Sequence, residues 1–200
     1  MDIYRNPIIL DYNIFLGDIR KAVGICYDSG VASDDLIREV IEKGHTSVLE
    51  HSYINFKIKC SRVTSHQLVR HRIGFSYSQR SQRYVLEDEP SIFIPPNVKD
   101  EEAFFESCKQ SIDAYKHQID MGTPKEDARY LLPQVMTQIV FSCNLRSALE
   151  FIKLRTCARA QYEIRILAER IRSKLVEEFS FLDFNNTGPD CGNCKEECPK

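Results

Sequence analysis

The chain has 200 residues, 42% of them hydrophobic, and a formal net charge of −2 at pH 7. That length suits one domain, or one domain with a tail, with enough apolar material for a sizeable core. The balance gives no global pull toward nucleic acid or an anionic membrane, no apolar run is long enough for a transmembrane helix, and Met1-Asp2-Ile3-Tyr4-Arg5 lacks the charged start and apolar run of a secretory signal.

Of the eight cysteines, Cys26, Cys60, Cys108, Cys143 and Cys157 stand singly among apolar or helical residues. They read as reduced, small hydrophobes, which suits the cytoplasm better than a disulfide framework does.

In chain order, residues 12–28 read as a first helix, with Ile14, Ile19, Val23 and Cys26 apolar. Ser33 caps a second helix carrying Leu36, Ile37, Val40 and Ile41, and Gly44 stops it. Ile54, Phe56, Ile58 and Cys60 alternate with Asn55, Lys57 and Lys59, the period of a strand with one buried face. Ser61 caps a helix through Val63, Gln67 and Arg70, on which Gln67 and Arg70 share a face. Ser91–Ile94 reads as a short strand, and residues 101–121 as an amphipathic helix with Phe104, Cys108, Ile112, Tyr115 and Ile119 on one side. Thr123-Pro124-Lys125-Glu126 spells a helix start: N-cap, proline at the first helical position, capping box. Residues 135–143 read as a strand. From Asn144 the pattern is helical almost to Phe179, broken near Thr156, with Ile164, Leu167, Ala168, Ile171 and Leu175 on its buried face. There is no βαβ rhythm. The order of elements predicts an α+β fold with a small, mostly antiparallel sheet packed with long helices, as one domain over residues 1–188 and a Cys-rich tail over 189–200.

The chain is organised around Arg70-His71-Arg72-Ile73-Gly74-Phe75-Ser76-Tyr77-Ser78-Gln79-Arg80-Ser81-Gln82-Arg83-Tyr84, which holds four arginines in fifteen residues. Between Glu50 and Glu87 there is no acidic residue, while Lys57, Lys59, Arg62, Arg70, Arg72, Arg80 and Arg83 accumulate. Guanidinium groups fork onto phosphate oxygens, so this segregation points to an anionic, phosphorylated ligand. A basic surface loop is the plainer alternative. A third reading is an RNA-binding module over residues 62–84, with Phe75, Tyr77 and Tyr84 stacking bases. The acidic overall balance and the lack of a known RNA-binding signature count against it.

Arg70-His71-Arg72, eight residues and then Ser81, continuing Gln82-Arg83-Tyr84, resembles the signature of the flavin-dependent thymidylate synthases. Three more segments agree, in the expected order. His45-Thr46-Ser47-Val48-Leu49-Glu50-His51 is similar to the family's His-x-Ser/Thr-x-x-x-Glu-His element, although alone it reads as a polar turn. Pro124-Lys125-Glu126-Asp127-Ala128-Arg129-Tyr130-Leu131-Leu132-Pro133 is similar to Pro-x-Glu-x-Ala-Arg-x-x-Leu-Pro, although alone Glu126 and Arg129 are an i,i+3 pair. Asn144-Leu145-Arg146-Ser147 with Leu154-Arg155 is similar to a fourth element, although Arg146 and Glu150, four apart, would also make a salt pair. Arg159 stands where some relatives have histidine.

The resemblance implies methylation of dUMP to dTMP, with 5,10-methylenetetrahydrofolate giving the carbon unit, FAD carrying the hydride and NADPH reducing the flavin. It implies a homotetramer with sites shared between subunits. Gln67, Leu68, Val69, Arg70, Gln79, Arg80, Ser81, Gln82, Arg83, Arg129 and Arg155 would bind dUMP. His45, Ser47, Arg70, His71, Arg72, Gln79, Asn144, Leu145, Arg146 and Glu150 would meet FAD, with Glu50 and His51 left to structure. Arg155 would be the catalytic group, a fixed cation beside the pyrimidine. Ser81 would be a substrate ligand, since no adjacent base activates it as a nucleophile. A flavoprotein of this fold acting on another pyrimidine nucleotide is a further possibility. No Gly-x-Gly-x-x-Gly is present, so NADPH is not expected on a Rossmann unit.

The tail lies outside the resemblance. Cys191 and Cys194 form a C-x-x-C, with Cys198 four further on. Three thiols could bind zinc given a fourth ligand from elsewhere or from another subunit, but no second pair closes a site. The sequence supports a mobile tail with oxidisable thiols, and no metal is assigned.

Overall fold

A computed structural model describes residues 1–179 together with 187–189, 191, 194, 195 and 198. Its centre is a four-stranded antiparallel sheet in the order β2-β3-β6-β4, built from β2 (Ile8–Phe15), β3 (Tyr53–Ser61), β6 (Met136–Cys143) and β4 (Phe75–Gln79). A separate parallel pair joins β1 (Ile3–Tyr4) to β5 (Ile92–Phe93). The α+β reading with a mostly antiparallel sheet holds.

The expected alternation on β3 is observed, and Ile54, Phe56, Ile58 and Cys60 are buried. Beneath that face lie α1 (Gly17–Cys26), α2 (Asp34–Glu42), α6 (Leu145–Arg155) and α7 (Tyr162–Glu178). The α7 positions Ile164, Leu167, Ala168, Ile171 and Leu175 are all buried. A smaller cluster joins α4 (Glu101–Asp120) to β5 through Ile92, Ile94, Ile112 and Val135. No described helix is long and apolar enough to cross a membrane.

Four local expectations need correction. The helix expected from residue 12 begins at Gly17, because residues 8–15 are a strand. A bulge between Ile9 and Asp11 interrupts the strand period there and hides it from the sequence. Cys26 is exposed at the end of α1. The helix capped by Ser61 is α3 (Arg62–Leu68), so it stops before Arg70. Thr123 does not cap α5 (Lys125–Ala128): its hydroxyl bonds Gln118 at 2.8 Å, Pro124 takes the cap position, and the Glu126 carboxylate is turned to Arg83. The caps read at Ser33 and Ser61 are formed, accepting from Leu36 and Thr64 N–H, and Asn144 caps α6 in the same way, accepting from Ser147 N–H.

The boundary expected between residues 188 and 189 lies in a stretch that is described only in part. Of residues 180–200, only 187–189, 191, 194, 195 and 198 are described.

Candidate active site

The Arg70–Arg72 motif occupies the turn between α3 and β4, and Gly74 makes that turn possible. Its φ is +73°, and a Cβ there would stand 2.1 Å from the Ser147 hydroxyl. Only glycine combines the left-handed backbone with so close an approach to the start of α6. The contact walls a cleft of about 670 Å³. Arg70, Arg72 and Arg146 give it positive charge, Glu50 and Glu150 give negative charge, and Ile73 and Phe75 give an apolar wall. Asn144 and Ser147 bring the first turn of α6 to its edge. Arg146 pairs across the cleft with Glu50 at 2.5 Å, in place of the i,i+4 pair with Glu150. The start of α6 is fixed from below, where the buried Ser52 hydroxyl accepts from Leu145 N–H at 2.6 Å and donates to the Leu49 carbonyl at 2.7 Å.

His71 is half-buried and packs edge-on against Phe151, with ring centroids 5.0 Å apart. Its Nε2 accepts from Arg155 Nε at 2.9 Å, and Arg155 Nη2 reaches the Gln67 carbonyl at 3.4 Å. Burial, and then the Arg155 charge, push the His71 pKa down to about 4. The imidazole is therefore neutral near pH 7, with its proton on Nδ1. Tyr77 locks the same turn, because its hydroxyl lies 2.8 Å from the Leu68 carbonyl and 2.6 Å from the His71 carbonyl.

The far end of β4 opens into a second group of arginines. Arg80 lies 3.4 Å from the buried Glu87 and donates to the Leu86 carbonyl at 3.1 Å. Arg83 pairs with Glu126, and its own N–H donates to the Ser81 hydroxyl at 3.2 Å. Arg129 donates through Nε to the Glu126 carbonyl at 3.0 Å, so the side-chain pair expected between those two does not form. Arg62 joins the group: its pKa is lowered by burial and by the Arg129 charge, and Glu87 works the other way. Burial raises the Glu87 pKa against the pull of Arg80 and Arg62. Four guanidinium groups thus face two carboxylates, and the Arg62 Nη1 and Gln79 Nε2 atoms are buried without a hydrogen-bond partner. Such a group favours an anion with several acceptor oxygens.

The expected site residues are therefore gathered into two places within one chain. Gln67, Arg70, His71, Arg72, Asn144, Arg146, Glu150 and Arg155 lie around the cleft and its back wall. Gln79, Arg80, Ser81, Gln82, Arg83 and Arg129 belong to the far end of β4. The five residues of β4 hold the two places roughly 16 Å apart. Leu68 and Leu145 are wholly buried and can offer a ligand only backbone atoms, while Val69 packs against the core. His45 and Ser47 are exposed at the 3-10 turn Thr46–His51, outside the cleft lining.

Sequence reasoning passed over several residues that shape these places. Glu50 and Glu87, the acids bounding the acid-free stretch, both face arginines; that bounding position was the available signal. Glu163 is also buried, and its carboxylate accepts from Ser61 N–H at 2.7 Å and from the Ser61 hydroxyl. Burial raises its pKa, with the Ser61 bonds opposing. Gln161 bonds the Gln67 side chain. The start of α7 thus holds both ends of α3, a role with no periodic signal. The RNA-binding reading gains no support here. Phe75 and Tyr77 stack on each other at 5.8 Å against Phe141, so of the three aromatics read as a stacking surface only Tyr84 is exposed, with the Arg83 guanidinium 5.3 Å from its ring centre.

Residues 10–179 match the family model described as thymidylate synthase complementing protein. A relative from Pyrococcus furiosus named flavin-dependent thymidylate synthase is 40% identical over 173 residues, covering 78% of this chain and 70% of the relative. One of the same name from Geobacter sulfurreducens is 41% identical over 201 residues, covering 89% and 85%. Among solved structures, the UMP/dUMP methylase PolB of Streptomyces cacaoi, bound with 5-Br dUMP, aligns with a TM-score of 0.75 at 20% identity, covering 91% of this chain and 98% of that one.

Proposed function

Because the chain belongs to the flavin-dependent thymidylate synthase family, we propose that it methylates dUMP to dTMP, taking the carbon from 5,10-methylenetetrahydrofolate and the reducing equivalents from NADPH. FAD, the flavin of the reading, would carry hydride between NADPH and the methylene-bearing pyrimidine. The cleft suits it. Arg70, Arg72 and Arg146 would hold phosphate oxygens, the start of α6 at Asn144 and Leu145 would meet the same end, and Phe75 with Ile73 offers an apolar wall. His45, Ser47, Gln79 and Glu150 would complete the flavin contacts.

The observation that carries the reading is the Arg155–His71 hydrogen bond. It joins the Arg-His-Arg signature to the α6 arginine and holds a guanidinium still without neutralising it, since a neutral imidazole is the acceptor. A fixed, uncompensated cation beside a uracil ring would stabilise negative charge on N3 and O4 and so increase electron density at C5. A carboxylate in the place of His71 would quench that effect. Gln67 would meet the nucleotide from the same side. Arg80, Ser81, Gln82, Arg83 and Arg129 would grip the dUMP phosphate and sugar.

The length of β4 argues that these two sets do not grip one nucleotide within one chain. A homotetramer, in which one copy supplies Arg155 and another supplies the Arg80–Arg83 group, reconciles the residue roles with that separation. The first test is a visible spectrum of the purified protein before and after anaerobic NADPH, with and without dUMP, followed by a dTMP assay with methylenetetrahydrofolate. A flavin spectrum that bleaches, at a rate altered by dUMP, and dTMP as product are expected. A colourless protein that takes up no FAD and ignores dUMP would overturn the reading.

A further inference from the structure

Gln161 stands at the cap position ahead of α7, with non-helical backbone at φ −55° and ψ 141°. Short side chains that bond back to the helix's own first N–H groups are the usual choice there. Gln161 makes no such bond. Its Oε1 accepts instead from Gln67 Nε2 on α3. Although Gln161 is exposed, the two residues after it are tied down. The Tyr162 hydroxyl donates to Asn6 Oδ1 at 3.1 Å, and the buried Glu163 carboxylate accepts from Ser61 N–H at 2.7 Å. Gln161 is thus an acceptor set at a fixed point beside α3. Gln67 is the junction it serves. The Gln67 carbonyl accepts from Arg155 Nη2 at 3.4 Å, and Arg155 Nε donates to His71. One residue therefore bonds α7 through its side chain and the α6 arginine through its backbone. A primary amide has one donating and one accepting end. With Nε2 committed to Gln161, the accepting end of Gln67 is the one turned away from α7.

Resting on the dUMP reading above, we propose that Gln161 is a positioning residue for the nucleotide. Its Oε1 holds the Gln67 amide with Nε2 toward α7, so that Gln67 Oε1 meets a hydrogen-bond donor of the nucleotide beside Arg155. Gln161 touches neither nucleotide nor flavin in this role. It fixes one rotamer and one flip of its neighbour before substrate arrives, which removes part of the ordering cost of binding. The cap position suits the task, because Tyr162 and Glu163 anchor the backbone and leave the Gln161 side chain to reach α3.

The test is KM and equilibrium Kd for dUMP in the full-length holoenzyme, for wild type, Gln161→Met, Gln161→Glu and Gln161→Lys. Methionine keeps the length and loses the bond, glutamate keeps an acceptor, and lysine offers only donors. Gln161→Met should raise both constants about 3–10-fold, the worth of one neutral hydrogen bond. Gln161→Glu should recover most of that, and Gln161→Lys should do no better than Gln161→Met. The kcat at saturating dUMP should stay near the wild-type value, as when only binding is lost. Melting temperature should not move, since the side chain is exposed. In a Gln67→Ala background, Gln161→Met should add nothing, because the two residues act as one unit. Equal losses in all three variants, with a lowered melting temperature, would make the contact merely structural and overturn the inference. So would unchanged dUMP constants in a wild type and variants that all make dTMP. A wild type that makes no dTMP would instead overturn the reading on which the inference rests.

Discussion

Arg155 and His71 are bonded Nε to Nε2 at 2.9 Å, and the bond exists only while the imidazole is neutral. Burial and the Arg155 charge secure that state by moving the His71 pKa down to about 4. His71→Gln keeps an acceptor of similar reach, whereas His71→Ala leaves Arg155 without one. A charge-assisted hydrogen bond contributes about 1.5–3 kcal/mol. His71→Ala should therefore lower kcat for dTMP formation by about 10–100-fold, with His71→Gln recovering part of it. Equal loss in both variants would mean that the acceptor is not what matters.

The same residue makes stability depend on pH. An unfolded histidine titrates near 6.5, but His71 in the fold stays neutral until about 4. Between those values the unfolded chain binds more protons, so stability falls as pH is lowered through that window. Urea denaturation at pH 7 and pH 5 should give a lower midpoint at pH 5, and His71→Gln should narrow the difference. An unchanged gap would assign it to other groups.

Arg155→Ala should abolish dTMP formation and leave bound flavin in place, because the cleft proposed for the flavin is lined by other side chains. Arg155→Lys keeps the charge but loses the planar fork that reaches His71 and the Gln67 carbonyl together, so it should remain severely impaired. Turnover assays on protein with matched flavin absorbance decide this. Full activity in either variant would remove Arg155 from the chemistry.

Gly74→Ala places a methyl 2.1 Å from the Ser147 hydroxyl on a backbone of φ +73°. The left-handed backbone alone costs about 1–2 kcal/mol, and the collision pushes the Arg-His-Arg turn away from α6. Weakened flavin retention and a lower melting temperature are expected. Adding Ser147→Ala should restore part of the loss, since the oxygen is gone while the backbone strain remains. No rescue at all would mean that the strain, not the contact, dominates.

Sharing of sites between copies can be tested by mixing. Arg155→Ala and Arg80→Ala disable opposite ends of β4 and should each be inactive alone. Co-refolded in equal amounts, they should recover about a quarter of wild-type activity if each site draws one end from each of two copies. No recovery would place both ends in one subunit's site.

Much of this was legible in the sequence, for identifiable reasons. Alternation on β3 and the helical face of α7 are periodic signals, and the caps at Ser33 and Ser61 are local chemistry. What failed was non-local or interrupted. The bulge after Ile9 concealed β2. The serines and glutamine of Phe75–Gln79 disguised β4 as a loop, because as the outermost strand it is covered on one side only. In the candidate site, residue types were readable from the motif. The pairing of Arg146 with Glu50, of Arg83 with Glu126 and of Ser61 with Glu163 crosses 96, 43 and 102 residues, which no local pattern encodes.

That outermost strand also works as a ruler. A loop between Arg72 and Arg80 could gain or lose a residue and absorb the change by bending. A strand in register with β6 cannot, since one residue more would turn every later side chain to the opposite face. The interval between the two arginine groups is therefore metered in pairs of residues. Insertions that surface turns elsewhere in the chain would tolerate are closed to this segment.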